Sequence, residues 1–133
     1  KMKTLIKIDF IAEIFNNLPK FALNNCPKQT ELEIPSKLAC IGDSYFQQCE
    51  SLSKTSIPAS IESIGDSAFD VCSSLKQIII PSSVIAINDW TFNNCLPITQ
   101  LAISSSVTKL EKEAFRSFSS FKKIVFFKIL RNL

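Results

Sequence analysis

SKTSIPASIESIGDSAFDVCSSL (53–75) and the stretch after it, KQIIIPSSVIAINDWTFNNCLPI (76–98), carry the same residue types in the same order. Ile57-Pro58 aligns with Ile80-Pro81, Ile61 with Val84, Ile64 with Ile87, Phe69 with Phe92 and Cys72 with Cys95, always 23 residues apart. The interval runs outward in both directions. TELEIPSKLACIGDSYFQQCESL (30–52) precedes the pair and TQLAISSSVTKLEKEAFRSFSSF (99–121) follows it. Cys26, Cys49, Cys72 and Cys95 keep the interval, as do Phe46, Phe69, Phe92 and Phe115. Self-similarity at a short fixed period marks a repeat architecture, whose units each bury their apolar edge only against their neighbours.

Each unit opens with a short alternating run, such as Gln77-Ile78-Ile79-Ile80, which points Ile78 and Ile80 to one face and Gln77 and Ile79 to the other. Pro35, Pro58 and Pro81 then end the strand, since proline has no amide proton to donate. The period predicts a single right-handed solenoid of about five turns, with parallel strands near 31–34, 54–57, 77–80, 100–103 and 123–127. Gly42, Gly65 and Asn88 share one position, which suggests a positive φ there; Glu111 breaks the series. In Asp66-Ser67-Ala68-Phe69-Asp70-Val71-Cys72, the spacing of Phe69 and Cys72 suits a single helical turn with Asp66 as its cap.

The whole chain, 1–133, reads as one domain: four full repeats over 30–121, a partial unit over 122–133, and a looser N-terminal segment over 1–29. Two readings of that segment fit. Leu5, Ile8, Ile11, Phe15 and Leu18 could form a helix covering the first turn; alternatively Ile11, Phe15, Leu18, Leu23 and Cys26 form a degenerate repeat. At the other end Ile124-Val125-Phe126-Phe127 is apolar where a solenoid needs a polar cap, and Phe127 replaces the strand-ending proline. Either the chain continues beyond this point, or the end docks on something, a second copy or a larger assembly.

The net charge of +3 is unevenly placed: the chain is basic over 1–28 and 107–133 and acidic between. Such polarity suits an acidic partner, or is ordinary solvated charge on terminal repeats. No signal peptide is visible, because Lys3, Lys7, Asp9 and Glu13 interrupt the first apolar stretch. Nothing approaches the roughly 20 apolar residues of a membrane span.

The wording of the unit, Leu-x-x-Ile-x-Ile-Pro followed by Val-x-x-Ile-Gly-x-x-Ala-Phe-x-x-Cys, resembles the BspA-like leucine-rich repeat family closely over about 30–121. The resemblance implies an α/β-type solenoid: a curved parallel sheet on the concave face, with short helical or 3-10 turns opposite. It also implies a concave face that binds proteins, and a surface adhesion or host-binding role of the kind seen in bacteria and parasitic protists.

Catalysis has little to stand on. The chain has no His, so Ser-His and Cys-His pairs cannot form, and its two glycines are a full repeat apart, which excludes a phosphate loop. No Cys-x-x-Cys pair offers a metal site, no cofactor is implied, and no aromatic-basic motif suggests nucleic acid. The ladder cysteines recur in one slot that accepts Phe118, which points to buried, unpaired thiols, although neighbouring slots lie within bridging distance. Cys40 falls out of phase, as an incidental surface thiol or a site for crosslinking or lipidation.

Candidate binding residues follow from the outward strand positions. Glu31, Lys54, Gln77, Gln100 and Lys123 form a polar column; Glu33, Ser56, Ile79, Ala102 and Val125 form one that turns apolar toward the C-terminus. Trp90 stands where other units have Ser44, Ser67 and Glu113, so it either anchors a partner or folds over its neighbours. The expected protein is a non-catalytic interaction scaffold. Family resemblance places it at the cell surface or secreted. The absent signal peptide and unpaired thiols fit an intracellular structural protein equally well.

Overall fold

A computed structural model describes residues 17–18, 23–26, 28, 30–117 and 124–126, with side chains over 23–26, 28 and 30–117. Every strand pairing in it is parallel and steps by the repeat. The main sheet has five strands, β2 (Glu31–Glu33), β4 (Lys54–Ser56), β6 (Gln77–Ile80), β8 (Gln100–Ile103) and β10 (Ile124–Phe126), in that spatial order. Glu31 pairs with Lys54, Gln77 with Gln100 and Ala102 with Val125. The β-solenoid and its strand positions are those the 23-residue period predicts.

A second ladder runs along the next side of each coil. β1 (Asn17–Leu18), β3 (Cys40–Ile41) and β5 (Ser63–Ile64) form one sheet, and β7 (Ala86–Ile87) and β9 (Lys109–Leu110) another. Asn17 pairs with Cys40, again 23 residues on, so β1 sits in the register of a preceding coil. The interruption between β5 and β7 has a local cause. Gly65 and Glu111 each give their amide to the carbonyl 24 residues back, Ile41 and Ile87, at 2.9 and 3.0 Å. Asn88 reaches Ile64 with its side-chain amide instead, at 2.8 Å. One asparagine thereby replaces a ladder bond.

The position shared by Gly42, Gly65 and Asn88 therefore needs a different explanation from positive φ. No glycine has positive φ, and Asn88 does not either. At Gly65 the constraint is close approach: a Cβ there would lie 2.7 Å from the Gly42 carbonyl carbon, too near for any real contact. Positive φ occurs two residues later, at Ser44 (54°), Ser67 (57°) and Trp90 (60°), and again at Gln48, Val71 and Asn94.

Those dihedrals also replace the expected helical turn. The segments over 43–48, 66–71 and 89–94 are successive turns. Alternate amides close them locally, as Gln47 does to Ser44 and Cys49 to Phe46. The amides between point along the stack: Ser44 to Asp66, Phe46 to Ala68 and Gln48 to Asp70, each at 2.8 Å. A helix would turn every amide inward on its own coil; the residues at positive φ release every second one to the next coil. Asp66 caps nothing helical; its own amide donates to the Asp43 carboxylate at 3.0 Å.

The interior is filled by columns. Phe46, Phe69, Phe92 and Phe115 stack with centroids 5.1, 5.5 and 5.5 Å apart and interplanar angles of 19°, 10° and 11°. Leu38, Ile61 and Val84 form a second column and Ile41, Ile64 and Ile87 a third, all essentially inaccessible. Tyr45 breaks the small-residue column of Ala68, Thr91 and Ala114. It is fully buried, edge-on to Phe46 at 4.7 Å, and its hydroxyl has no hydrogen-bond partner. Burial pushes its phenol well above the usual range. Such an orphan costs about 1–3 kcal/mol, so Tyr45→Phe is expected to raise the melting temperature; a lower one would mean that the hydroxyl is bonded.

The cysteine ladder corrects one expectation outright. Cys26 and Cys49 are joined by a disulfide, while Cys72 and Cys95 are buried thiols and Cys40 is a half-buried one. The reason is geometric. Stacked coils hold the Cα atoms of Cys26 and Cys49 4.6 Å apart, inside the range a disulfide needs.

Candidate functional site

The strand register brings five of the seven predicted binding residues, Gln77, Ile79, Gln100, Ala102 and Val125, together on the main sheet. Its polar column runs Glu31, Lys54, Gln77 and Gln100, each in register with the next. Beside it, Glu33 faces Ser56, and Ile79 faces Ala102, which in turn faces Val125. The alternation that makes the face is direct: in β6 Ile78 and Ile80 are buried, while Gln77 and Ile79 are exposed. Ile79 leaves 55% of its surface to solvent, which is unusual for Ile in a sheet. It borders an open groove of about 540 Å³ that Ala102, Pro81, Ser82 and Ser104 help to line. An apolar floor with hydroxyl walls can hold an extended polypeptide: the floor gains from desolvation and the hydroxyls serve backbone groups. Lys123 lies outside the described residues.

Trp90 is on the turn side of the coil, not on this sheet. It is half-buried with the Arg116 guanidinium over its ring at 4.9 Å, so it covers the adjoining coil. Arg116 also lies 3.8 Å from Glu113. Of the seven predicted residues, Gln77, Ile79, Gln100 and Ala102 form one patch, which Val125 extends by register.

Two features escaped the sequence reading. Ile85, 62% exposed beside β7, and Leu96, 55% exposed after Cys95, are apolar residues on other sides of the coil. Their signal was available: both are large residues where the neighbouring units place Glu62 and Ser73. The second is a polar ladder. Asp70 accepts from Gln47 at 2.9 Å and from Asn93 at 2.9 Å, tying three coils through buried or half-buried groups. The three residues share the 23-residue column.

Among the described residues no group of three or more His, Cys, Asp or Glu side chains could hold a metal, and no helix is long and apolar enough to cross a membrane.

A BspA type leucine rich repeat region matches in six copies over residues 2–69 and 40–133. Among solved structures, a leucine-rich repeat protein of T. pallidum aligns with a TM-score of 0.77 at 25% identity, covering 81% of this chain and 50% of its own. A leucine-rich cell surface protein from Faecalibacterium prausnitzii aligns with a TM-score of 0.56 at 29% identity, covering 72% of this chain and 31% of its own. The chain thus spans half the length of the first and under a third of the second. No curated protein sequence matches significantly.

Proposed function

This chain belongs to the BspA-type leucine-rich repeat family, and on that premise we propose that it is a protein-binding scaffold acting at the cell surface. The observation that carries the reading is the exposed Ile79 paired with the half-buried Ala102, flanked by Gln77 and Gln100, on a parallel sheet. A sheet held by ladder bonds on both sides orders no loop on binding, so association loses little conformational entropy. Apolar contact at the centre and amide contact at the rim divide affinity from specificity. Nothing in the arrangement asks for a reacting group.

The surface location is supported by the likeness to a leucine-rich cell surface protein and by the Cys26–Cys49 disulfide, since disulfides persist mainly in oxidising compartments. The bridge weakens the intracellular alternative, which leaned on unpaired thiols. Antibody labelling of intact, unpermeabilised cells is the test of location. Labelling is expected without permeabilisation; labelling only after it contradicts the surface role.

The binding face has its own test. Ile79→Glu is expected to leave the fold intact, because the side chain points out, and to weaken partner binding by about tenfold or more. Unchanged affinity in a folded variant would move the binding face elsewhere.

A further inference from the structure

The four ladder cysteines are spaced as a chemical series, not merely as core filling. The residue before each cysteine marks the coil spacing at its rung: Asn25 donates to Gln47 at 2.8 Å, Gln48 to Asp70 at 2.8 Å and Val71 to Asn93 at 2.9 Å. The backbone geometry that brings Cys26 onto Cys49 is therefore repeated from Cys49 to Cys72 and from Cys72 to Cys95. The sulfurs are oriented alike as well. Sγ of Cys49, Cys72 and Cys95 lies 3.3, 3.2 and 3.1 Å from the carbonyls of Leu23, Phe46 and Phe69, each 26 residues back.

A disulfide breaks by attack of a thiolate along the axis of the S–S bond, on the side opposite the leaving sulfur. Along the column, the coil that carries Cys72 stacks on the side of Cys49 away from Cys26. We propose that the ladder is a disulfide relay, in which Cys72 displaces Cys26 from Cys49 and the bridge moves one rung. The Cys72 thiolate forms the new Cys49–Cys72 bond, the Cys26–Cys49 bond breaks, and Cys26 leaves as a thiolate that takes up the proton Cys72 has given up. No electron is gained or lost overall, so no oxidant is needed.

The roles differ by position. The neighbouring Cys72 side chain, with burial added, holds the Cys95 thiol well above the usual range, and its S–H faces the Phe69 carbonyl at 3.1 Å, so Cys95 stays protonated. Cys49, Cys72 and Cys95 are fully buried, while Cys26 is only partly so. Moving the bridge inward therefore exposes one thiol to solvent, Cys26, and keeps the disulfide itself out of reach of external thiols.

The test uses the full chain carrying Cys40→Ser, so that its half-buried thiol does not obscure the result. The bridged protein is held at mildly alkaline pH with N-ethylmaleimide, quenched in acid, digested with pepsin and mapped without reduction. Peptides joined through Cys49–Cys72 are expected, with maleimide on Cys26. Cys72→Ala should return Cys26 labelling to background, whereas Cys95→Ala should retain it. Persistence of the Cys26–Cys49 bridge alone, with Cys26 unlabelled, would overturn the relay. So would labelling of Cys26 that Cys72→Ala does not reduce. Bridges that skip a rung, such as Cys26–Cys72, would also overturn it, because they require unfolding.

Discussion

Phe69→Ala is expected to destabilise the protein by about 3–5 kcal/mol. The ring is fully buried, with Phe46 stacked on one side at 5.1 Å and Phe92 on the other at 5.5 Å. Neither neighbour can collapse into the space, because each is held by its own coil's ladder bonds. Phe46 donates to Ala68 at 2.8 Å and Phe92 to Ala114 at 2.9 Å. A void that cannot relax lies at the costly end of large-to-small substitutions. Against a typical domain stability of about 5–15 kcal/mol, the loss should be plain in a urea titration. A shift below about 1 kcal/mol would mean that the column is not continuous.

Cys49→Ala should cost more than Cys72→Ala, although the two occupy the same slot and are equally buried. Truncating a buried thiol costs about 1–2 kcal/mol in either case. Only Cys49 carries a bridge, which closes a sequence separation of 23 residues. Loop closure of that size contributes about 3 kcal/mol, so Cys49→Ala is expected to lose about 4–5 kcal/mol in all. Adding dithiothreitol supplies the internal control. Once wild type is reduced, the two variants should fall equally far below it. Equal costs without reductant would show that the bridge adds nothing to stability.

The period made most of the fold legible. Strand positions, pairing register, the Phe column and the outward columns all follow from one fact, that equivalent residues recur every 23 positions and must stack. Departures arose where one residue type can satisfy the stack in more than one way. Gly65 tolerates positive φ but serves close approach, and Asn88 in the same position supplies a side-chain bond. Phe69 and Cys72 point inward from successive turns as well as from a helix, because Ser67 and Val71 adopt positive φ that their residue types do not advertise. The bridge was hidden for a similar reason: four identical slots do not say which sulfurs are oxidised. The outward columns of the main sheet were legible from the start. They depend only on alternation within a strand, the most direct pattern a sequence carries.

The central claim is that the outward face of the main sheet binds protein. Its most direct measurement compares, by quantitative mass spectrometry, the proteins retained by immobilised wild-type chain, Ile79→Glu and Ile85→Glu. Both substitutions put a charge on an exposed isoleucine, Ile79 on the main sheet and Ile85 on another side of the coil. The account predicts proteins retained equally by wild type and Ile85→Glu, and lost with Ile79→Glu. Retention by Ile79→Glu together with loss by Ile85→Glu would contradict it.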